Sequence, residues 1–318
     1  MIFIVSAVCK YLFYITLLFF IVKPTDQASA KNQQFIYDFG NNSGDGYGFA
    51  YGDDNLYMYS STNFGGVKSA ITNHSNNTNT SLTKHTIDFN DNQTVHLNSN
   101  PIPLKTDAIT LSKLTADEIN EHPVGGFQNA AGAFTIGRQS KQGGFVQNNN
   151  RSFDGKIAEV IGYRKVLNAE ETKRIESYLA IKYALTLDNS GSVTQGDYLD
   201  SEGNIIWDAS FNPPSHNKII GIGRDENQRL LQKQSHTIND SIRVYIGNLA
   251  ATNSLNTGTF SSNKSYVMVG GSGKLCATPL SNSEVPSVNI TRMERELKVT
   301  KYNNSYLNQM DQQRKDVR

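Results

Sequence analysis

The chain has 318 residues, a formal net charge of +1 and only 19% charged residues, so it is long enough for two separate cores. Lys and Arg are balanced along the chain by Asp and Glu, and no basic stripe collects that charge, which excludes a nucleic-acid footprint. Abundant Asn, Ser, Thr and Gly with 15 Tyr and 15 Phe suit short strands and many turns, an all-β composition.

Ile2 to Val22 is almost wholly apolar, interrupted by Lys10. Tyr11 to Val22 has the length of a signal-peptide core, Pro24 follows, and Ala28-Ser29-Ala30 offers the small-x-small pattern read by signal peptidase. Residues 1–30 are therefore expected to be a signal peptide cut after Ala30, with an uncleaved anchor as the alternative, and the remainder to be exported, secreted or at a bacterial cell surface. Membrane contact is expected only through this segment, if it is uncleaved. Only Cys9 and Cys276 occur. With the leader gone Cys276 stands alone, which leaves no intrachain disulfide and no spaced partners for zinc.

From Phe35 onward short β patterns alternate with turn clusters. Tyr47 to Tyr51, the turn Gly52 to Asn55 and Leu56 to Tyr59 predict a hairpin, with Tyr47, Tyr51, Tyr57 and Tyr59 expected as a ladder on one face. Asn73 to Thr80 predicts an exposed loop. Thr94 to Leu97 and Pro101 to Leu104 predict a second hairpin, whose prolines confine the return strand to an edge. Ala133 to Arg138 predicts a strand, followed by a Gly/Gln/Asn loop at 139–150. Phe153-Asp154-Gly155 predicts a turn into the strand Lys156 to Tyr163. Asn168 then caps a helix, with Glu171 completing a capping box. Ile175, Tyr178, Leu179 and Tyr183 recur at helical spacing, and that stripe is expected to dock the helix on the domain preceding it. Residues 188–197 read as a linker. Beyond it, Tyr198-Leu199, Ile205 to Trp207, Ile219 to Gly223, Ile242 to Ile246, Tyr266 to Val269 and Leu297 to Val299 predict strands of a second β-rich domain. Trp207 is its expected core anchor.

These motifs, in this order, resemble the laminin-G-like, concanavalin A-like module of bacterial exported surface proteins. Gly46-Tyr47-Gly48-Phe49 with Leu56-Tyr57, Thr94 to Asn98 and Thr135 to Arg138 carry part of the match. The most specific part is Phe153, Asp154, Gly155, Ile157 and Glu159, then Tyr163, Leu167 and Glu171. The resemblance implies an antiparallel β-sandwich of jelly-roll type over residues 31–187 with one trailing helix, short of strands at its N-terminal side, where the signal-like segment abuts the first hairpin. Residues 198–318 resemble an uncharacterised domain that accompanies such modules, through Trp207-Asp208, Ile220 to Asp225, Gln232 to Ser235 and Arg292 to Arg295.

The adjacent acidic pairs Asp53-Asp54, Glu170-Glu171 and Asp225-Glu226 do not alternate along one strand as the facing carboxylates of a glycosidase do. Six scattered histidines (74, 85, 96, 122, 216 and 236) read as exposed loop residues, and no Gly-x-Ser-x-Gly elbow is present. No catalytic residues and no required cofactor are assigned. The laminin-G resemblance implies a calcium ion at the sandwich rim, and Asp38, Asn41 and Asp45, with Asn42 and Ser43, supply hard oxygen donors there. The expected function is non-catalytic binding or adhesion, to glycans or other surface proteins, through the sandwich edge loops. The alternatives are an architectural segment of a larger surface protein and a glycoside hydrolase or lyase.

Overall fold

The computed structural model describes residues 17–25, 34–40, 46–52, 55–61, 67–71, 79–86, 94–97, 100–101, 134–138, 152–163, 165, 167–188, 196–237, 242–274 and 294–303. The chain divides into two compact units between Leu167 and Asn168, with 98–100 grouped with the second.

The first unit holds two five-stranded antiparallel sheets. Strands β1 (Leu17–Pro24), β2 (Gln34–Gly40), β3 (Gly46–Gly52), β4 (Asn55–Ser61), β5 (Val67–Ile71), β6 (Ser81–Thr86), β7 (Thr94–Leu97), β8 (Asn100–Pro101), β9 (Phe134–Ile136) and β10 (Gly155–Tyr163) are arranged as β10-β1-β6-β7-β8 and β5-β4-β3-β2-β9. The sheets pack face to face. Phe20 of β1 stacks on Tyr37 of β2 with ring centroids 5.2 Å apart and planes 7° from parallel, and the Tyr37 hydroxyl shares a buried hydrogen bond with His85 Nδ1 of β6. This is an antiparallel β-sandwich. Pro101 stands on β8, an edge strand, as expected, and Pro103 lies outside the described residues.

One element stands where a signal peptide was expected. Leu17 to Val22, expected to leave with a signal peptide, is part of β1, an interior strand of its sheet. It runs antiparallel to β10 from Leu17↔Tyr163 to Pro24↔Gly155, with a bulge at Ile21/Val22, and to β6 from Leu17↔Thr86 to Val22↔Ser81. Its six apolar side chains are each 1% exposed or less. The physical reason is that a strand covered on both faces needs no polar alternation, so its composition matches a leader core. The sandwich also gains the N-terminal strand it was expected to lack.

The turn ahead of β10 is built around β1. A Cβ on Gly155 would lie 2.4 Å from the Lys23 carbonyl oxygen and 2.8 Å from Pro24 Cα. Thr25 N–H donates to the Asp154 carbonyl at 2.9 Å, Phe153 N–H to that of Gly137 at 2.8 Å, and Asp154 N–H to Gln34 Oε1 at 2.9 Å. The Phe153-Asp154-Gly155 signature is therefore a joint that seats β1 and ties β10 to β2 and β9.

The second unit opens with helix α1 (Ala169–Tyr183), whose capping box is formed as expected: Glu171 N–H donates to Asn168 Oδ1 at 2.8 Å and Asn168 N–H to Glu171 Oε2 at 3.0 Å. The remaining strands are β11 (Tyr198–Leu199), β12 (Ile205–Trp207), β13 (Asn217–Asp225), β14 (Leu230–Gln232), β15 (Gln234–His236), β16 (Arg243–Tyr245), β17 (Ser265–Gly271) and β18 (Leu297–Tyr302). They form a β14-β13-β17-β18 sheet and the pairs β11-β12 and β15-β16. Ile220, Ile242 and Val269 form one apolar cluster with Ala184 against it, and Ile222, Phe260 and Val267 another. Trp207 is buried, as expected of a core anchor.

The helix departs from expectation in where it docks. Its buried residues are Glu176, Ser177, Leu179, Ala180 and Ile181, and it packs on β11, β13 and β14. Ser177 Oγ accepts Leu199 N–H at 2.8 Å, and Arg174 Nη1 donates to the Ser201 carbonyl at 2.9 Å. These polar handles, absent from an apolar stripe, seat α1 on the second unit. The expected linker 188–197 also starts and ends inside that unit. Tyr198 Oη accepts Leu187 N–H at 3.1 Å and donates to the Leu185 carbonyl at 2.7 Å, holding its two sides together.

Candidate functional site

The rim expected to bind falls largely outside the described residues. Asn41 and Asp45 lie outside them, and Asp38 is placed only by its backbone, opposite Gly48 on β3 and Thr135 on β9. Among the described residues no group of three or more His, Cys, Asp or Glu is placed to hold a metal ion. Residues 72–78, 87–93, 102–133 and 139–150 are likewise outside. Register corrects the tyrosine ladder. Tyr47 stands opposite Ser60 and Tyr51 opposite Leu56, whereas Tyr57 stands opposite Ala50 and Tyr59 opposite Gly48. Directly opposed residues share a face, so the tyrosines divide between the two faces instead of lining one.

The signature residues have structural positions. Ile157 stands opposite Val22, Glu159 opposite Ile21 and Tyr163 opposite Leu17. Tyr163 meets Phe19 edge to face, with centroids 6.4 Å apart. Glu170 and Glu171 occupy the first turn of α1, where the helix dipole favours a carboxylate.

Two of the histidines expected in exposed loops are instead held by internal partners, His85 buried and His216 half-buried. His85 is buried on β6 against Tyr37. His216 Nδ1 accepts the Trp207 indole N–H at 3.0 Å. That bond sets its tautomer, so Nε2–H donates to the Leu187 carbonyl at 2.6 Å. The pair gives the buried indole the partner it needs.

The densest polar constellation among the described residues centres on Asp225. Its carboxylate is fully buried and accepts four hydrogen bonds: from Ser201 N–H at 2.9 Å, Ser201 Oγ at 2.8 Å, the Tyr266 hydroxyl at 2.7 Å and Asn227 N–H at 3.1 Å. Burial pushes this carboxyl up, but the Tyr266, Ser201 and Asn227 donors outweigh it and hold the group below the usual carboxylate range. Burial, reinforced by Asp225, pushes the Tyr266 hydroxyl well up. Asp200, also buried, accepts Glu202 N–H at 2.8 Å and Asn204 N–H at 2.9 Å on Oδ1, and Asn204 Nδ2 at 2.9 Å on Oδ2. Asp200 closes the β11–β12 turn on itself, and Asp225 fastens that turn to β13 and β17. Asp197 differs: burial raises its pKa against the opposing bond from Ala209 N–H.

The Gly-x-Gly of β13 serves the same node. A Cβ on Gly223 would fall 2.3 Å from a Tyr266 ring carbon, and one on Gly221 2.4 Å from Met268 Sδ. The missing side chains give Tyr266 and Met268 their lanes across the strand. The Gln232 to Ser235 stretch likewise pins a loop. Gln234 Nε2 donates to the Ala250 carbonyl at 2.8 Å and Gln234 Oε1 accepts Ala250 N–H at 2.9 Å, while Asn253 Oδ1 accepts Lys233 N–H at 2.6 Å. Sequence reasoning placed these motifs without their partners, which lie on segments distant in the chain.

Comparison with known proteins adds one family match. A family model described as Domain of unknown function (DUF8202) matches residues 171–316, the region read as an uncharacterised domain together with most of α1. No curated protein matches. Among solved structures, a Ruminococcus gnavus IT-sialidase CBM40 is 14% identical, with 50% of this chain and 80% of that one covered and a TM-score of 0.37. A leech intramolecular trans-sialidase is 17% identical, with 52% and 24% covered and a TM-score of 0.35. The botulinum neurotoxin DC binding domain, solved in complex with rat synaptotagmin II, is 12% identical, with 93% and 58% covered and a TM-score of 0.35. Likeness at these identities and scores carries no functional argument.

Proposed function

We propose that the chain is a non-catalytic binding or adhesion module whose laminin-G-like sandwich recognises a glycan or a surface protein through its edge loops. One observation supports this reading above the rest: the sandwich interior is filled by its own side chains, with Phe20, Tyr37 and His85 stacked or bonded between the sheets. A ligand is left the rim and the outer surfaces. The buried acids of the second unit support the same reading, because Asp200 and Asp225 spend their oxygens on internal donors. Asp38, Asn41 and Asp45 would hold a calcium ion at the rim by their oxygen chemistry. Display outside the cell would need an export route that leaves β1 in place.

The test is binding of the full chain to a polysaccharide and protein array, with and without calcium and chelator. Saturable binding is expected, with loss on chelation and in Asp45→Ala. Release of reducing ends from any polysaccharide would overturn the non-catalytic reading, and absence of all binding by a folded chain would overturn the binding reading.

A further inference from the structure

Leu17 to Val22 has the composition of a leader and the position of a core strand, and a single molecule cannot use it as both. β1 is the lane between β10 and β6, paired along its whole length with β10 and from Leu17 to Val22 with β6. Neighbouring strands lie about 4.8 Å apart, so without β1 its flanks would stand roughly 10 Å apart, beyond hydrogen bonding, as two open edges. The same loss would strip the ring stacked on Tyr37 from the sandwich interior. It would also remove the Lys23 and Pro24 backbone against which Gly155 closes and the Thr25 N–H that holds the Asp154 carbonyl.

We propose that residues 17–24 are retained in the folded protein as an interior strand of its first unit, and that a chain cut after Ala30 does not form the sandwich. The apolar run is a folding element whose two partners emerge later in synthesis than it does, and Gly155 is the contact that seats its end. Export of the sandwich, where it occurs, keeps this strand.

The full chain, produced with its own N-terminus in a bacterium with active signal peptidase, is read by intact mass and N-terminal sequencing. A mature chain that includes Leu17 is expected; one that begins at Lys31 with a folded sandwich overturns the proposal. Amide hydrogen exchange then compares the full chain with one lacking residues 1–30. Amides of 81–86 and 155–163 are expected to exchange about 100-fold faster or more in the shortened chain, while 217–225 and 265–271 keep their protection as the internal control. Unchanged protection at 81–86 and 155–163 overturns the strand role. Should the shortened chain aggregate, a peptide of residues 14–26 with a solubilising lysine tail is added during refolding. It is expected to restore solubility and protection, and its Phe20→Asp form is not; equal rescue by both forms overturns the proposal.

Discussion

Replacing Gly223 by Ala is expected to destabilise the second unit through a single ring. Tyr266 stands opposite Gly223 in the β13–β17 register. The new Cβ would sit 2.3 Å and 2.8 Å from two of its ring carbons and 3.1 Å from the Ser265 carbonyl oxygen. The ring has no free space to enter, since it is fully buried, and its hydroxyl is held by Asp225 Oδ2 at 2.7 Å. Overpacking of this kind costs about 1–3 kcal/mol, and loss of a hydrogen bond to a charged group about 1.5–3 kcal/mol. The two together give a cost of about 2.5–6 kcal/mol, which at a urea slope of about 2 kcal/mol/M lowers the midpoint by roughly 1–3 M.

The assay is urea unfolding followed by fluorescence of Trp207, the chain's single tryptophan, which reports this unit alone. A double-mutant cycle with Tyr266→Phe separates the two costs, because Phe keeps the ring and lacks the hydroxyl. In that background Gly223→Ala should cost less than in the parent chain by about 1.5–3 kcal/mol, the hydrogen bond having already been lost. Additive costs, or a midpoint shift below about 0.3 M for Gly223→Ala alone, would refute the idea that the glycine exists to pass the tyrosine.

Other outcomes follow from the same contacts. Asp225 has a folded pKa below its unfolded value, so the stability it contributes is present above the unfolded pKa, near 3.8, and is lost as pH falls through the lower folded value; Asp225→Asn should flatten this acid limb in Trp207-monitored unfolding. Asp197 is shifted the other way, so its ionised form opposes folding at neutral pH. Asp197→Asn, which keeps an oxygen for Ala209 N–H, should leave the neutral midpoint unchanged or higher. His216→Leu should orphan the Trp207 indole N–H, cost about 1–3 kcal/mol and shift the emission maximum of the native state. Phe20→Ala should cost the first unit about 3–5 kcal/mol, read as faster hydrogen exchange in 81–86, with no change in the Trp207 transition.

What was legible from residues alone was local. The capping box at Asn168 and Glu171, the Gly52 to Asn55 hairpin and Pro101 at the edge of the sheet each depend on a few neighbouring residues. What was not legible depended on a partner far along the chain. Leu17 to Val22 carries no alternation because β6 and β10 flank it and both its faces are covered, and a continuous apolar run is equally compatible with a leader. The docking of α1 rests on Ser177 and Arg174 meeting backbone groups of Leu199 and Ser201, and neither residue stands out in a hydrophobic stripe. His85 lies in a polar-looking stretch, Ser81 to Thr86, whose side chains find their partners only across the sandwich.

The motifs that singled out the second unit bear on this. Gly221 and Gly223 clear lanes for Met268 and Tyr266, and Asp225 receives the Tyr266 hydroxyl at the end of one lane while locking the Ser201 turn. Gln234 clamps Ala250 from both sides. Each of these residues is accounted for by a contact inside the unit. Residues spent in this way record how the unit is built, and a ligand would have to be recognised by others. Among the described residues of this unit several large apolar side chains are exposed, Phe211 foremost at 80% exposure, on a turn pinned by Asp208 and Asn212. A fixed, exposed ring loses little conformational freedom on binding. If the second unit takes part in recognition, Phe211→Ser should weaken binding of the full chain without moving the Trp207 unfolding midpoint. Unchanged affinity in that variant would confine recognition to the sandwich.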